Sequence, residues 1–474
     1  MADRPGESLF RRLHSSGRDG ALPLHLPAHG RGRGLAPELR KLLHRPPGSW
    51  DLPELPGFGG PLEAEGAVAE AQRACAALLG AERCWFGVNG ASGLLQAALL
   101  ALAAPGERVL LPRNLHRSLL HACVLGQIEP ILFDLPFDPR TGLWLPPNNA
   151  HLERVLAAAA PLRPVAVVLV DPTYQGFRSD LPNLVATIHG HGAGGLPLLV
   201  DQAHGDGSAL AAGADLVVMS LQKAAGGLAQ SAALLAQGGR IDPASLERSL
   251  LWLQTSSPSA LLLASAAAAL IHSQGAAAAG QRRRALGRAE RLRRRLTALE
   301  LPLVANDDPL RFVLATAPLG IQGTEADAWL LQRGVVAELP EPGALTFCLG
   351  LQPPPRLERL LPRRLQEMRQ SIGGPALAAF SPPPLPLLGW PALPLGLAWR
   401  AAAEAVPLLE AAGRIAAEPL CPYPPGIPLL IPGERIDAAR ATWLAEQRAL
   451  WPGQIADTVM VVTTTAGGGS VKGR

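Results

Sequence analysis

Against forty arginines the chain carries three lysines, Lys41, Lys223 and Lys472. A side chain that must shed its proton and bond covalently to a carbonyl has to be lysine, because guanidinium stays protonated. Lys41 falls in a polar N-terminal helix and Lys472 in a Gly/Ser tail, where arginine would serve as well. Lys223 follows the apolar run Ala214-Asp215-Leu216-Val217-Val218-Met219 and precedes the small-residue turn Ala224-Ala225-Gly226-Gly227. An amine at a strand end, beside glycines that let a ligand approach the backbone, suits Schiff-base chemistry.

Other strand ends carry polar groups of a matching kind. Asp201 follows Leu198-Leu199-Val200 and precedes Gln202-Ala203-His204-Gly205. Its carboxylate can pair with a protonated pyridine nitrogen, or simply cap the next helix. Asn89-Gly90-Ala91-Ser92-Gly93 turns from a strand into a helix, where free N–H groups and a hydroxyl make an anion site suited to phosphate. Small residues also begin many helices that bind nothing. Ser220, three residues before Lys223, adds a hydroxyl. Asn114-Leu115-His116-Arg117-Ser118 offers an imidazole that can stack on a flat ligand or serve structurally.

The elements that must position these groups follow from the apolar pattern. Val165–Val170, Pro197–Val200 and Leu216–Met219 are continuous apolar runs ending at Asp171, Asp201 and Ser220. With the shorter strands around Trp85, Val109 and Pro130, and helices over 63–79 and 92–103, they predict a parallel sheet covered on both faces. Ligands of such sheets sit at the carboxyl ends of the strands. Residues 1–60 read as an irregular arm. Residues 276–299 read as an Arg-rich helix connecting to a smaller α/β unit around 300–350. The prolines between 352 and 394 suggest a surface-wrapping linker. Helical patterning returns over 396–455, around Pro422-Tyr423-Pro424-Pro425-Gly426, and the segment from 463 onward reads as disordered.

Bulk properties remove several function classes. The formal charge is +4, hydrophobic residues make up 48% and charged residues 17%, as in an ordinary globular chain. Arg282, Arg283, Arg284, Arg288, Arg291, Arg293, Arg294 and Arg295 form a solvated helix face; no aromatic platform or groove-reading motif marks a nucleic-acid partner. Five scattered cysteines without a CxxC pair argue for reduced thiols, a cytoplasmic setting and no metal site. The N-terminus lacks a signal-peptide core, and the apolar stretches Leu94–Ala104 and Ala260–Ile271 are too short or interrupted for a membrane.

Phosphate cradle, strand-end aspartate, then strand-end lysine 22 residues later is the order found in fold-type-I pyridoxal-phosphate enzymes. Within that class the chain resembles the Orn/Lys/Arg decarboxylase family. Leu26-Pro27-Ala28-His29-Gly30-Arg31-Gly32 is similar to its "PGHKxG" element and Asp51-Leu52-Pro53-Glu54-Leu55 to "DxxEL". Asn114–Ser118 matches "NxHKS" with Arg117 for Lys; Asp201–Gly205 resembles "DEAHG" and Ser220–Lys223 resembles "SxHK". Pro422–Pro428 and Pro432-Gly433-Glu434 match the C-terminal "YPPGIP…PGE" signature.

The resemblance implies a large domain of aspartate-aminotransferase type, PLP-dependent transferase-like and α/β with a mostly parallel sheet. A smaller α/β domain and a C-terminal α+β domain complete the expected fold class. The expected divisions are an arm at 1–60, the cofactor domain at 61–275, connector helix and small domain at 276–375, and linker with C-terminal domain at 376–474. It implies that Lys223 bonds pyridoxal 5'-phosphate, Asp201 pairs with the ring nitrogen, and His116 stacks on the ring. Ala91, Ser92 and Ser220 would hold phosphate, with Ala203, His204 and Gln222 also around the cofactor; His204 positions cofactor or substrate. Glu434 is either an anion for a substrate's distal cation or part of the signature turn. The implied reaction is decarboxylation of lysine, arginine or ornithine by at least a homodimer, with no regulatory domain before the arm. Three departures stand out: Gln202 for Glu, Gln222 for His and Ala224 for Thr. Gln222 can donate a hydrogen bond but cannot transfer a proton at neutral pH. An aldolase, β-eliminating lyase or aminotransferase, or a cofactor-binding paralogue without turnover, are the other readings.

Overall fold

The computed structural model describes Leu9, Arg11, Leu13 and residues 21–192, 194–422, 426–451 and 455–463. Expectations for Met1–Glu7, for Tyr423-Pro424-Pro425 and for the tail beyond Thr463, with Lys472, lie outside these residues.

The continuous apolar runs become the middle of an eight-stranded sheet, ordered Leu388–Gly389, Glu129–Phe133, Arg108–Pro112, Ala166–Val170, Leu198–Asp201, Leu216–Ser220, Ala232–Ala236 and Arg83–Gly87. The five strands from Glu129–Phe133 to Leu216–Ser220 run parallel. Ala232–Ala236 is antiparallel to both of its neighbours, and Leu388–Gly389 closes the other edge antiparallel to Glu129–Phe133. Val167, Val168, Leu199, Val200, Val217 and Val218 are fully buried, as runs covered on both faces must be. Gly90–Leu102, Arg117–Gly126 and Pro243–Leu253 pack on one face. Ala67–Leu79, Asn149–Ala159, Leu181–His189 and Ala260–Ser273 pack on the other. Among the described residues no single helix is long and apolar enough to cross a membrane.

The second sheet is antiparallel, ordered Leu303–Val304, Arg311–Ala315, Ala344–Cys348, Leu339–Glu341. It packs against Ala276–Ala298, Gly323–Leu331 and Leu357–Ile372. The last of these corrects the surface-linker reading of 352–394. Leu357, Leu361, Leu365 and Met368 recur at helical spacing and are buried, while the prolines at 353–355 lie ahead of the helix. The arm is more ordered than its irregular reading: Leu22–Pro23 pairs in parallel with Val335–Val336. The helix expected around Lys41 is present as Pro37–Leu43. In the C-terminal part Ala403–Pro407 pairs with Thr458–Val462 beside the helix Ala438–Leu450, an α+β arrangement.

Candidate active site

Lys223 lies in the single helical turn Leu221–Ala224 that leaves the strand Leu216–Ser220. Its Nζ stands 3.1 Å from His204 Nε2, and the other ring nitrogen, Nδ1, is 2.9 Å from Arg311 Nη2. The His204 ring rests on Tyr174, ring centres 4.2 Å apart and inclined at 53°, with the Lys223 Nζ 5.5 Å from the Tyr174 centre. Burial pulls the Lys223 pKa below that of a free amine, Arg311 pulling the same way and Asp201 opposing both. Burial, then the charges of Lys223 and Arg311, keep His204 well below its usual pKa. Both groups are thereby biased toward neutrality.

Asp201 ends the adjacent strand and is 4% exposed. Among the described residues the one hydrogen bond to its carboxylate is from the Ala203 N–H, at 3.0 Å. Burial raises its pKa, against that hydrogen bond and the charge of Lys223. A desolvated carboxylate with a single donor fits a cationic N–H aimed into the site. Gln202, fully buried, turns the other way: its Oε1 accepts from Ala209 N–H (3.1 Å). Its amide thus fixes the turn after the strand, which explains why an uncharged residue serves at this departure from the family pattern.

Asn89–Ser92 opens the helix Gly90–Leu102 without any side-chain cap, so first-turn N–H groups face outward. Gly90 N–H donates to Gln230 O (2.9 Å), fastening this helix start to the segment that follows the Lys223 turn. Ala91 and Ser92 are half-buried there and Ser220 is 4% exposed. His116 caps the helix Arg117–Gly126, its Nδ1 accepting from Ser118 N–H at 3.2 Å. The residue is exposed, yet enough protein surrounds it that desolvation, then Lys223 and Arg117, depress its pKa. Beside it Asn114 holds a buried Oδ1 with no donor among the described residues. Gln222 contributes its carbonyl, which accepts from Ala28 N–H (2.9 Å) and ties the arm to the turn.

Glu434 does not open onto this cleft's polar cluster. Its Oε1 is 2.6 Å from Arg113 Nη2, its Oε2 accepts from Ile431 N–H at 2.9 Å, and Arg440 approaches to 3.5 Å. Of the two readings for this residue, the geometry displays the structural one. Sequence reasoning passed over Tyr174, Glu338 and Cys348, and weighed Arg311 only as the carboxylate-binding arginine that an aminotransferase would need. Tyr174 hydroxyl donates to Glu338, whose second oxygen accepts from Leu26 N–H (2.6 Å); Arg311 also contacts Asp308, Tyr174 O and Cys348. One signal was available: the chain has two tyrosines. The cleft is walled by the arm (Leu26, Ala28), by Lys223 with Arg178, and by Leu349 with Gly350 of the small domain.

Comparisons with known proteins bear on the family and the fold. The Orn/Lys/Arg decarboxylase major-domain model matches residues 8–310, and the C-terminal-domain model of the same family matches 395–451. An arginine decarboxylase of Bacillus anthracis is 28% identical over 453 residues, covering 90% of each chain. Among solved structures, lysine decarboxylase A from Pseudomonas aeruginosa superposes with TM-score 0.73 at 19% identity, covering 98% of this chain and 84% of that one. Serine palmitoyltransferase of Sphingomonas wittichii shares the fold at TM-score 0.57 and 18% identity, over 74% of this chain and 88% of its own. The chain belongs to the Orn/Lys/Arg decarboxylase family and is, with it, a carboxy-lyase.

Proposed function

We propose that this protein decarboxylates a basic amino acid (lysine, arginine or ornithine) to the corresponding amine, using pyridoxal 5'-phosphate bound at Lys223, as at least a homodimer. The observation that carries the reading is Lys223 itself, an amine half-buried at a strand end between Asp201 and His204, with a lowered pKa. When bound there, the cofactor supplies the electron sink that lets carbon dioxide leave Cα. The remaining work falls to the chain. Asp201 holds a ring nitrogen in its protonated form, since a buried carboxylate gains most from a cationic donor. The N–H groups of Ala91 and Ser92, with the Ser92 and Ser220 hydroxyls, hold phosphate. His116 and Ala203 would contact the cofactor's ring, and Gln222 would offer donors without a transferable proton. Leu26 and Leu349 line the cleft beside the amine, and the Tyr174 ring centre lies 5.5 Å from it.

An aminotransferase reading needs an arginine fork open to the substrate carboxylate. Arg311 instead directs its donors to His204, Tyr174 O and Asp308.

The test is to supply the purified chain with pyridoxal 5'-phosphate and carboxyl-labelled lysine, arginine and ornithine, collecting labelled carbon dioxide. Borohydride treatment of the same sample, followed by peptide mapping, locates the covalent attachment. Release from one of the three substrates and a fixed adduct on Lys223, both lost in Lys223→Ala, is the expected result. An adduct without release from any of them overturns the decarboxylase reading; no adduct at position 223 overturns the cofactor reading.

A further inference from the structure

The row Arg311–His204–Lys223 has a consequence in proton accounting. Guanidinium has five N–H donors and no acceptor. At 2.9 Å from Arg311 Nη2, His204 Nδ1 must therefore accept, and cannot itself carry hydrogen. A neutral imidazole then carries its proton on Nε2, pointing at Lys223 Nζ 3.1 Å away. An N–H aimed at an amine makes a hydrogen bond only where that amine presents a lone pair. Arg311 is itself held in place, by Asp308 Oδ2 (3.2 Å), Tyr174 O (2.7 Å) and Cys348 Sγ (3.5 Å), and is 4% exposed. Tyr174 clamps the imidazole from the side.

We propose that Arg311, from the small domain, is a positioning residue that fixes His204 as its Nε2–H tautomer and so holds Lys223 as the free-base amine ready to attack a carbonyl. The device spans two domains, so the amine is primed only where the small domain is seated against the cleft. The charged and titratable groups facing this pair are Asp201, Glu338, Cys348 and His116, besides Tyr174 and Arg311, with Arg178, Asp206, Arg282 and Asp308 lining the same cleft. Asp201 favours the ammonium and opposes the device; burial and Arg311 work with it. For the use of the amine, the inference rests on the reading of Lys223 given above; for the tautomer it does not.

Two readouts on the full-length protein test it. In histidine labelled with ¹⁵N, the His204 signals, assigned by their loss in His204→Gln, are expected to show a protonated Nε2 and bare Nδ1, unchanged from about pH 5 to about pH 9. In Arg311→Gln the signals should become a tautomer mixture or titrate. The second readout is the pH dependence of trapping pyridoxal at Lys223 with borohydride, quantified by peptide mass spectrometry. Arg311→Gln should move this profile to higher pH, lowering trapping at neutral pH by about tenfold per unit moved, while Arg311→Lys, still a donor, recovers part of it. Circular dichroism and a thermal melt identify a variant that has failed to fold, and the wild-type ¹⁵N pattern, once assigned, stands as a test without any Arg311 variant. A wild-type His204 protonated on Nδ1, or titrating near an ordinary histidine pKa, overturns the proposal. So does a folded Arg311→Gln with both readouts unchanged. Absence of any wild-type trapping at Lys223 would instead remove the cofactor reading and leave the tautomer result standing.

Discussion

A carboxyl group buried with one weak donor keeps its proton, and Glu341 is such a group. It is fully buried; its Oε1 accepts from Gln175 Nε2 at 2.8 Å, its Oε2 has no partner among the described residues, and burial pushes its pKa up to about 8. In the unfolded chain the same group titrates at about 4.3. The folded state thus holds a proton that the unfolded state has already released, and the stability this contributes falls as pH rises from about 4 to about 8. Asp171, pushed up to about 6 by burial, adds a decline of the same sign that is complete earlier. Glu341→Gln, neutral at every pH and still able to accept from Gln175, should match wild type at about pH 5. At about pH 9 it should be more stable, by on the order of a few kcal/mol. Urea midpoints across that range decide it: parallel curves for the two proteins would show that Glu341 is ionised in the fold. The residues around Lys223 have the same physical origin. Their pKa values are moved chiefly by burial, and only secondarily by one another.

At the scale of elements, the C-terminal segment is tied to the central sheet through charge. Arg113, fully buried, follows the strand Arg108–Pro112 and meets Glu434 in a two-pronged pair, at 2.6 and 3.2 Å. Its Nη1 also donates to Pro428 O and Leu429 O, both at 3.3 Å. Removing one partner of such a pair strands the other charge away from water. Glu434→Ala should therefore lower stability by about 3–5 kcal/mol, read as a fall in the denaturation midpoint. Borohydride trapping at Lys223 should survive in the still-folded variant, and its loss there would show that the pair also supports the lysine turn. What was legible in the sequence is explained at this same scale. Strands covered on both faces are continuously apolar, so Ala166–Val170 and Leu216–Ser220 betray themselves as unbroken runs. The strand Ala232–Ala236 escapes notice because three of its five residues are alanine, which carries little strand preference. Lys223, Asp201 and His204 stood out as polar residues at or just beyond the ends of apolar runs. Tyr174 with Arg311, and Tyr174 with Glu338, meet across 137 and 164 residues of chain, so no local pattern announces them.

The whole molecule is organised so that one strip of the arm touches both domains before it reaches the site. Leu22 N–H and Leu24 N–H donate to Gly334 O (2.7 Å) and Val336 O (2.9 Å), and Cys348 N–H returns a bond to Leu24 O at 2.8 Å, all joining the arm to the small domain. Four residues later Ala28 N–H donates to Gln222 O, on the residue before Lys223. The arm therefore bridges the small sheet and the lysine turn through backbone hydrogen bonds. Gly350 is where this depends on backbone touching backbone: its φ is +64°, and an added Cβ would collide with Ala28 O. Neither atom belongs to a flexible side chain, so Gly350→Ala must push the arm away or strain the turn. Gly374 makes the fitting control, since a Cβ there meets nothing within 4 Å and its φ is unremarkable for an L-residue. In a titration followed by visible absorbance, Gly350→Ala should bind pyridoxal 5'-phosphate at least about tenfold more weakly, equivalent to about 1.4 kcal/mol. Gly374→Ala should bind as wild type does. Equal affinity in all three proteins, with Gly350→Ala folded, would mean that the arm merely covers the cleft and does not hold the lysine turn in place.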